Sequence, residues 1–523
     1  MSAAKEHTPE QQLILDTVTG PKPPPALILN AGPGCGKTYI LEEIIRSLPK
    51  ADRPDMLCTA FNKDIVGVLV KRIPRPVKIS TIHALCLGIW GAHIEQPYLK
   101  PDTSKSKQIL EAIAEDGRWT IAPEEYEDLL SIIRLAKSQG YLPPGSASAY
   151  RSLCTFDQLI DLADITTYPH YEELINLAMN MSVISAFQGL IDFDDMCYMA
   201  AFFATGYPKV KWLFVDEAQD LTPLQLLFLR RLKAQHVVLV GDPLQAIYAF
   251  RGAMTDSFQQ IAKSWPKAVT LPLQISFRVP TSLLPLLQSH NPLLRSNSKI
   301  FGTMSTLQHH HDMEYMMRKL APMECKSRAI LCRNNAPLYR AALSCLASQV
   351  RFTMRDNGWG FNIVRDIKRV ARNLSTFPAE DLFKALEDHW TRADMTDVQI
   401  ERMMDKLNCI AFLAERHQTA SGVVKDIENL VRSSNMSDSA QPLLLSTAHK
   451  AKGLEFDWVL HLDPHLIPSK FAKTPEDFKQ EANIAYVINS RSKHTLLFCD
   501  SELLNIPGPT YGKRPNTRTE QPV

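Results

Sequence analysis

The segment AGPGCGKT, residues 31–38, has the composition of a phosphate-binding loop. It follows the apolar run ALIL and precedes the helix-like run YILEEIIRSL, so a strand, a glycine-rich loop and a helix are expected in succession. In that arrangement backbone N–H groups surround nucleotide phosphates, Lys37 reaches the β and γ oxygens, and Thr38 offers its hydroxyl to Mg²⁺. A chance glycine-rich turn is the alternative, since Ala31 stands where the strict pattern has glycine. The expected nucleotide-binding residues here are Ala31, Gly32, Pro33, Gly34, Cys35, Gly36, Lys37, Thr38 and Tyr39.

An acidic pair, Asp216 and Glu217, follows the apolar run WLFV. Open α/β sheets bind ligands at the carboxyl ends of their strands. Asp216 is therefore expected to hold Mg²⁺, directly or through water, and Glu217 to act as the general base that activates the attacking water. The alternative is an acidic loop without a catalytic role, and the upstream loop favours the catalytic interpretation.

The next apolar run, VVLVGD, is followed by Gln245 and then by Tyr248, Phe250 and Arg251. Gln245 is a candidate sensor of the γ-phosphate. Aromatic rings beside an arginine are the parts of a platform on which nucleic-acid bases stack, and each stacked base contributes about 1–3 kcal/mol with little regard to sequence. Packing of Tyr248 or Phe250 in a core is the competing interpretation.

Short apolar runs that could form buried strands occur in two groups. The first group is ALILN, MLCTAF, WLFVDE and VVLVGD, and the second is RAILCR, LLLSTA, WVLHLD and TLLFCD. Such runs, alternating with helical patterns, predict two parallel α/β sheets. Residues 85–190 and 355–440 have helical periodicity and are expected to be mostly helical insertions. The Pro-rich, polar tail predicts disorder.

The composition is that of a globular protein of about three or four domains. The chain has 523 residues, of which 45% are hydrophobic, and 58 Lys and Arg against 56 Asp and Glu give a net charge of +2. Any basic surface must therefore be local. The 10 cysteines lack metal-ligand spacing and fit free thiols in a reducing compartment. A polar N-terminus and the lack of a long apolar run predict a soluble intracellular protein without membrane contact, nuclear in a eukaryote and otherwise cytoplasmic or nucleoid-associated.

Several further segments, among them TAFNK, STIHAL, IYAFRGA and TAHKAKGLEFDWV, resemble the motifs of superfamily 1A DNA helicases of the UvrD/PcrA/Rep type. Their wording is most similar to that of the F-box DNA helicase subgroup, although no F-box is expected before the first motif. The motifs follow the family's order from about residue 7 to 500. The resemblance implies an α/β fold with two RecA-like P-loop domains, each with a parallel sheet, and mostly helical insertions.

The resemblance adds residues to the nucleotide site. Gln11 of HTPEQQ would read the adenine edge, and Phe277 of LQISFRVP would stack on the adenine. Arg278 would touch the γ-phosphate, and Arg491 of the sixth motif would be the arginine finger that stabilises charge on the transferring phosphoryl group. The fifth motif would add two residues that face the ribose and phosphates, Gly453 and Glu455.

The resemblance also implies contacts with a single nucleic-acid strand. The residues concerned are Phe61, Asn62, Lys63, Thr81, His83, Tyr248, Phe250, Arg251, His449, Lys450 and Lys452. Without the family, the KAKG segment that contains Lys450 and Lys452 would be interpreted as a solvated basic turn. IDFDDM, residues 191–196, is similar to the short acidic motif that precedes the catalytic strand.

The implied function is ATP-driven 3′-to-5′ movement along single-stranded DNA, with unwinding of tailed duplexes, in repair, recombination or replication. One sheet would supply Lys37, Thr38, Asp216, Glu217 and Gln245, and the other would supply Arg278 and Arg491. The sixth motif departs from the family's wording at Ile488, Asn489, Ser490 and Ser492. The alternatives are an RNA-directed enzyme, a translocase that strips proteins from single strands with little unwinding, and a degenerate DNA-binding module.

The resemblance also gives expected domain boundaries. They are 1–84 and 191–275 for the first RecA-like domain, 85–190 for its helical insertion, 276–354 and 441–504 for the second RecA-like domain, 355–440 for a second, shortened insertion, and 505–523 for a disordered tail.

Overall fold

The computed structural model divides the chain into two compact units. The first comprises Met1–Arg278 and Asn291–Asn297, and the second comprises Val279–His290 and Ser298–Val523. The structure describes residues 6–60, 63–122, 125–163, 169–247, 257–310, 312–316, 326–355, 358–391, 395–434 and 442–505. Of the tail predicted to be disordered, only Asn505 is therefore described.

A parallel six-stranded sheet forms the centre of the first unit. Its strands are β1 (Ala26–Ala31), β2 (Met56–Ala60), β3 (Lys78–Thr81), β4 (Trp212–Val215), β5 (His236–Gly241) and β6 (Val269–Leu273). Their order is β3-β2-β4-β5-β1-β6, and each neighbouring pair is parallel. The strands β1, β2, β4 and β5 are buried almost throughout, as expected where helices cover both faces of a sheet. A short parallel pair follows, β7 (Ile275–Ser276) with β8 (Arg295–Ser296).

Helices surround this sheet and fill the long connection between β3 and β4. They are α1 (Pro9–Thr19), α2 (Lys37–Ser47), α3 (Lys63–Arg72), α4 (Ile82–His93), α5 (Lys105–Glu115), α6 (Glu125–Gln139), α7 (Phe156–Ala163), α8 (Tyr171–Phe187), α9 (Phe193–Phe202), α10 (Pro223–Arg231) and α11 (Ser257–Ser264). One hydrophobic core includes Trp90 of α4, Tyr171 of α8 and Leu213 of β4. The helices between β3 and β4 therefore share a core with the sheet.

Capping residues fix the starts of two helices beside the sheet. α1 and α10 begin with similar segments, Thr8–Gln11 and Thr222–Gln225, each with proline in second place. In both, the threonine hydroxyl accepts the glutamine N–H, and the glutamine side chain accepts the threonine N–H. This reciprocal capping satisfies two backbone donors, and proline at the first helical position lacks a donor that would need a partner.

The second unit contains another parallel six-stranded sheet. Its strands are β9 (Thr303–Thr306), β10 (Arg328–Cys332), β11 (Phe352–Met354), β12 (Leu443–Thr447), β13 (Phe456–Leu462) and β14 (Ser492–Cys499), in the order β11-β12-β10-β13-β14-β9. The helices are α12 (Leu284–Gln288), α13 (Met313–Tyr315), α14 (Ala336–Ala347), α15 (Trp359–Val370), α16 (Leu382–Trp390), α17 (Asp397–Ala414), α18 (Ala420–Ser434), α19 (Ala448–Ala451) and α20 (Pro475–Asn489). The helices α15 to α18 lie between β11 and β12 along the chain.

The prediction of two parallel sheets is confirmed, and each apolar run predicted as a strand lies in one of them. The sequence pattern missed β3, β6, β9 and β11, which are the edge strands of the two sheets. Edge strands are partly open to solvent, and β9 is exposed along its whole length. They therefore lack the continuous apolar runs that mark interior parallel strands. Among the helices of the described ranges, none has the length and apolar character needed to cross a membrane.

Candidate nucleotide and single-strand sites

Three strand ends bring polar side chains to one edge of the first sheet. β1 lies beside β5, which lies beside β4, and all three are parallel. The loop after β1 leads to Lys37, while Asp216 and Asp242 directly follow β4 and β5. Because the carboxyl ends of neighbouring parallel strands share an edge, these side chains converge.

The loop between β1 and α2 has the backbone that a phosphate cradle requires. Gly34 and Gly36 have φ values of +70° and +83°, which glycine adopts without the steric cost that a Cβ brings. Ala31 is the last residue of β1 and is fully buried, and no positive φ is needed there. Alanine therefore fits at the position where the strict motif has glycine. Because α2 begins at Lys37, its first N–H groups lie at the end of the loop, an arrangement that binds anions.

The segment after β6 packs against this loop because β6 pairs with β1. The Ser276 hydroxyl donates to the Pro33 carbonyl at 2.7 Å, and the Phe277 N–H donates to the Gly34 carbonyl at 3.0 Å. A Cβ on Gly34 would lie only 2.5 Å from the Cβ of Arg278, so Arg278 directly contacts the loop. Arg278 is the last residue of this stretch of the first unit, whereas the sequence analysis expected it from the second sheet.

Lys37 lies among three acidic side chains. Its Nζ donates to Glu217 Oε2 at 2.8 Å. Burial lowers the pKa of Lys37, but the charges of Glu217, Asp242 and Asp216 outweigh that effect and raise it. Burial and the charge of Glu217 raise the pKa of Asp216 to about 7, and burial raises the pKa of Asp242 to about 6. The cluster holds Lys37 protonated and has more acidic groups than this lysine can neutralise.

Glu217 has an uncommon backbone conformation. Its φ of 54° and ψ of 45° are left-handed, which costs a residue other than glycine about 1–2 kcal/mol. The Glu217 N–H donates to Asp216 Oδ1 at 2.9 Å. This turn ends β4 sharply, and it accompanies the contact of the Glu217 carboxylate with Lys37. Strain of this kind is common at functional sites.

The oxygen atoms beside Lys37 suit a hard divalent cation. The Thr38 side chain hydrogen-bonds to Asp216, so the two ligands predicted for Mg²⁺ are adjacent. Mg²⁺ prefers hydroxyl, carboxylate and phosphate oxygens and uses few protein ligands when it binds with a nucleotide. Thr38 and Asp216 would therefore hold the ion. When bound, the ion would supply positive charge to the triphosphate and to this acidic cluster.

Two glutamines hydrogen-bond to the residues of the acidic cluster. Gln219 Nε2 donates to Glu217 Oε2 at 2.7 Å, and Gln219 Oε1 accepts the Asp242 N–H at 3.0 Å. Gln245 Nε2 donates to Asp242 Oδ2 at 2.7 Å. The predicted phosphate sensor and the predicted base therefore belong to one hydrogen-bonded chain. Gln219 was not predicted from the sequence; it is buried and lies two residues after Glu217.

The residues predicted to bind adenine lie beside the same loop. Gln11 is buried, and its Nε2 lies 3.8 Å from the position that a Cβ on Gly36 would take. The rings of His7 and Tyr39 are 6.2 Å apart, and 47% of Phe277 is exposed. Cys35 is buried within the loop, so its backbone is the part of the residue available to a nucleotide.

The predicted single-strand contacts of the first unit are described in part. Phe61, Asn62, Tyr248, Phe250 and Arg251 lie outside the described residues. Lys63 is the first residue of α3. Thr81 caps α4 by accepting the Ala84 N–H at 3.2 Å.

An aromatic pair stands beside this cap. The rings of His83 and Phe193 stack, with centroids 4.3 Å apart and planes 24° apart, and 53% of Phe193 is exposed. Phe193 belongs to the acidic motif IDFDDM, for which no strand contact was predicted from the sequence. The place of this apolar ring at the first position of a helix, among aspartates, is the sequence feature that could have predicted its exposure.

In the second unit the fifth and sixth motifs meet. Arg491 Nε donates to the Val487 carbonyl at 2.9 Å, and Arg491 Nη1 donates to the Leu454 carbonyl at 3.3 Å. Leu454 lies between Gly453 and Glu455, and Gly453 has a φ of +81°. Arg491 thus lies against the segment for which the family resemblance implies nucleotide contacts.

The basic segment of the fifth motif forms the short helix α19 and the turn after it. His449 and Lys450 lie in α19, and Lys452 follows it. Lys450 Nζ donates to the Arg355 carbonyl at 2.8 Å, and Arg355 Nη1 donates to the Lys450 carbonyl at 3.3 Å. The pair ties the basic segment to the end of β11.

The departures from the family's sixth motif are buried. They are Ile488, Asn489, Ser490 and Ser492. The side chains of Asn489 and His461 are hydrogen-bonded at 2.9 Å. These departures therefore belong to the packing of the second unit.

Comparison with known proteins identifies the family. The sequence model of the UvrD-like helicase C-terminal domain matches residues 158–502, and that of the UvrD/REP helicase N-terminal domain matches residues 9–266. The chain belongs to the UvrD-like helicase family. The predicted relation to UvrD/PcrA/Rep-type proteins is confirmed, and the two parallel sheets agree with the RecA-like domains of this family.

Individual relatives cover different shares of the chain. F-box DNA helicase protein 1 of Schizosaccharomyces pombe is 24% identical over 94% of this chain and 57% of its own length. ATP-dependent DNA helicase Rep of Buchnera aphidicola is 28% identical over 54% of this chain and 43% of its own length. ATP-dependent DNA helicase PcrA of Bacillus subtilis is 25% identical over 55% of this chain and 39% of its own length. The chain thus spans about half the length of these relatives.

Proposed function

We propose that this protein is an ATP-driven motor that moves 3′-to-5′ along single-stranded DNA and unwinds duplexes with single-stranded tails. The observation that carries the proposal is the convergence of Lys37, Asp216 and Glu217 at one sheet edge in a chain of the UvrD-like helicase family. The names of the relatives, which are DNA helicases, support DNA as the polymer. Repair, recombination or replication would be the setting of such an activity.

The proposal assigns a role to each residue around the phosphates. Lys37 and Arg278 bind the terminal phosphates, Thr38 and Asp216 hold Mg²⁺, Glu217 accepts the proton of the attacking water, Gln245 senses the γ-phosphate, and Arg491 stabilises the charge of the transferring group. The bond between Gln219 and Glu217 supports this assignment of the base, because it gives the carboxylate a fixed direction. Gln11, Tyr39 and Phe277 would face the base of the nucleotide.

The proposed movement requires contacts of moderate strength with the strand. A base stacked on a ring such as Phe193 contributes about 1–3 kcal/mol. Opening one base-pair step costs about 1.4 kcal/mol on average. The free energy of gaining or losing one stacked base is therefore comparable with that of opening one base pair. Movement that exchanges stacking contacts of this strength therefore suffices to trap frayed base pairs.

Turnover of ATP with and without single-stranded DNA tests the assigned chemistry. Lys37→Ala removes the phosphate-binding cation, and Glu217→Gln removes the proton acceptor while keeping the shape of the side chain. We expect each to lower DNA-stimulated turnover by about 10²–10⁴-fold and to leave single-strand binding largely intact. Lys107→Ala is the matched control, since Lys107 is exposed on α5 and pairs with Glu111. Full turnover in either site variant contradicts the assigned roles.

Strand displacement on matched substrates tests the polymer and the direction. We expect displacement from 3′-tailed DNA duplexes and little from 5′-tailed ones. Equal stimulation by RNA would favour an RNA-directed enzyme, because recognition of the 2′-hydroxyl distinguishes the two polymers. Movement along single strands without displacement would indicate a translocase that strips bound proteins, and strand binding without turnover would indicate a DNA-binding module.

A further inference from the structure

Two lysines of the helices between β3 and β4 are buried in an ion network. Lys105 of α5 and Lys137 of α6 have no more than 1% of their side chains exposed. Lys105 Nζ lies 2.6 Å from Asp195 Oδ2, and Lys137 Nζ lies 2.6 Å from Asp192 Oδ2 and 2.8 Å from Asp195 Oδ1. The positive charges of the two lysines therefore balance the negative charges of the two aspartates inside the first unit.

Every carboxylate oxygen in this network accepts a hydrogen bond. Asp192 and Asp195 cap each other's backbone N–H groups, at 2.8 and 2.9 Å. The Ser106 hydroxyl donates to Asp192 at 2.7 Å, and the Ser182 hydroxyl donates to Asp195 at 3.1 Å. Buried ion pairs are seldom more stabilising than apolar side chains of the same volume, but they demand one geometry. The network therefore specifies a position more than it adds stability.

The position that it fixes is the first turn of α9. This helix begins at Phe193, between the two aspartates of the network. Phe193 is the half-exposed ring that stacks on His83. Lys105 also donates to the Ser182 carbonyl at 2.8 Å, which joins α5, α8 and α9 at the same point. The helices α5, α6 and α8 thus support the turn of α9 that carries this ring.

We infer that Lys105 and Lys137 are positioning residues for single-strand binding, because they hold the first turn of α9 so that Phe193 presents its ring beside His83. This inference rests on the proposed function, in which this ring pair contacts bases. It assigns to α5, α6 and α8, which carry the network but not the ring pair, a part in strand affinity that requires no contact of their own with DNA.

The test compares Lys105→Met with Lys107→Met in the full chain. Lys107 lies two residues further along α5, and 61% of its side chain is exposed. We expect Lys105→Met to raise the DNA concentration that gives half-maximal ATP turnover by about tenfold, which is the effect of weakening one stacked-base contact. Maximal turnover at saturating DNA should stay within about twofold, and Lys107→Met should match the parent in both quantities. An unchanged half-maximal concentration in Lys105→Met overturns the inference.

A double-mutant cycle with Phe193→Ala separates positioning from general destabilisation. If Lys105 acts through this ring, Lys105→Met should add less than about twofold to the effect of Phe193→Ala, because interacting residues are not additive. Multiplicative effects would overturn the inference. If Lys105→Met does not fold, Ser182→Ala and Ser106→Ala, which remove one hydrogen bond each and leave no unpaired charge, serve in the same cycle. A parent protein that binds no single-stranded DNA refutes the proposed function itself, and a parent that binds DNA with unaffected lysine variants refutes this inference alone.

Discussion

Replacement of Gly34 by alanine should destabilise the first unit through two separate effects. Alanine would have to keep a φ of +70°, which costs about 1–2 kcal/mol in the left-handed region. Its Cβ would lie 2.5 Å from the Cβ of Arg278 and 2.9 Å from the Ser276 hydroxyl. The Arg278 Cβ is fixed by the backbone and the Ser276 hydroxyl is held by its hydrogen bond to Pro33, so overpacking adds about 1–3 kcal/mol. The expected loss in the free energy of unfolding is roughly 2–5 kcal/mol.

Two other glycines separate these effects. Gly36 has a φ of +83°, but the nearest atom to an added Cβ lies 3.6 Å away. Gly36→Ala should therefore carry only the backbone cost of about 1–2 kcal/mol. Gly88 lies in α4 with no atom within 4 Å of an added Cβ, so Gly88→Ala should stabilise the helix by about 0.5–1 kcal/mol. The change in the free energy of unfolding should therefore differ in size between Gly34→Ala and Gly36→Ala, and it should have the opposite sign in Gly88→Ala.

Urea unfolding supplies the measurement. The relevant transition is the one whose midpoint MgATP raises, because a ligand stabilises the unit that binds it. Free energies from that transition should fall in the order Gly88→Ala, parent, Gly36→Ala, Gly34→Ala, and ATP should bind Gly34→Ala more weakly than the parent. Equal stability of Gly34→Ala and Gly36→Ala would refute the contact of Arg278 with the loop.

Three further predictions concern the charged groups. Because burial raises the pKa of Asp216 to about 7, the stability that its protonated form gives is lost as pH rises from about 4 through 7. Without nucleotide, Asp216→Asn should therefore raise the unfolding midpoint at pH 8 and leave it nearly unchanged at pH 4; a larger rise at pH 4 would contradict this. Gln219→Ala should lower maximal ATP turnover about tenfold and leave the KM for ATP within about twofold, since it removes a bond to the base and not to the phosphates. Arg491→Lys should lower turnover by about 10³-fold or more with single-strand binding retained, and the exposed Arg432→Lys should have no effect.

The interior strands of both sheets were predictable from the sequence and the edge strands were not, for one physical reason. Interior parallel strands such as β4 must be apolar on both faces, so their composition reveals them. An edge strand such as β9, exposed throughout, carries no such mark. The loop of residues 31–38 was predictable because its chemistry depends on local spacing.

Contacts distant in sequence were not predictable in the same way. Gln219 lies between Glu217 and Asp242 only because β4 and β5 are neighbours. Arg278 belongs with the first unit because β6 pairs with β1 and leads the chain back to Gly34. Such partners follow from strand order, which spacing along the chain does not encode.

Two buried charge clusters among the described residues of the first unit differ in a way that indicates which one we expect to bind a ligand. In the network of Lys105 and Lys137 with Asp192 and Asp195, charges balance and all carboxylate oxygens are bonded. Burial raises the pKa of Asp192, but Lys137 and the hydrogen bonds lower it to about 2, so its charge is fully compensated.

The cluster around Lys37 lacks that compensation. Burial and the charge of Glu217 raise the pKa of Asp216 to about 7, although the charge of Lys37 lowers it. Excess buried negative charge at a phosphate-binding loop is unfavourable while no ligand is bound. It becomes favourable when a divalent cation enters with its triphosphate. We therefore expect the balanced cluster to maintain the fold of α9, and the unbalanced cluster to favour binding of a nucleotide together with its metal.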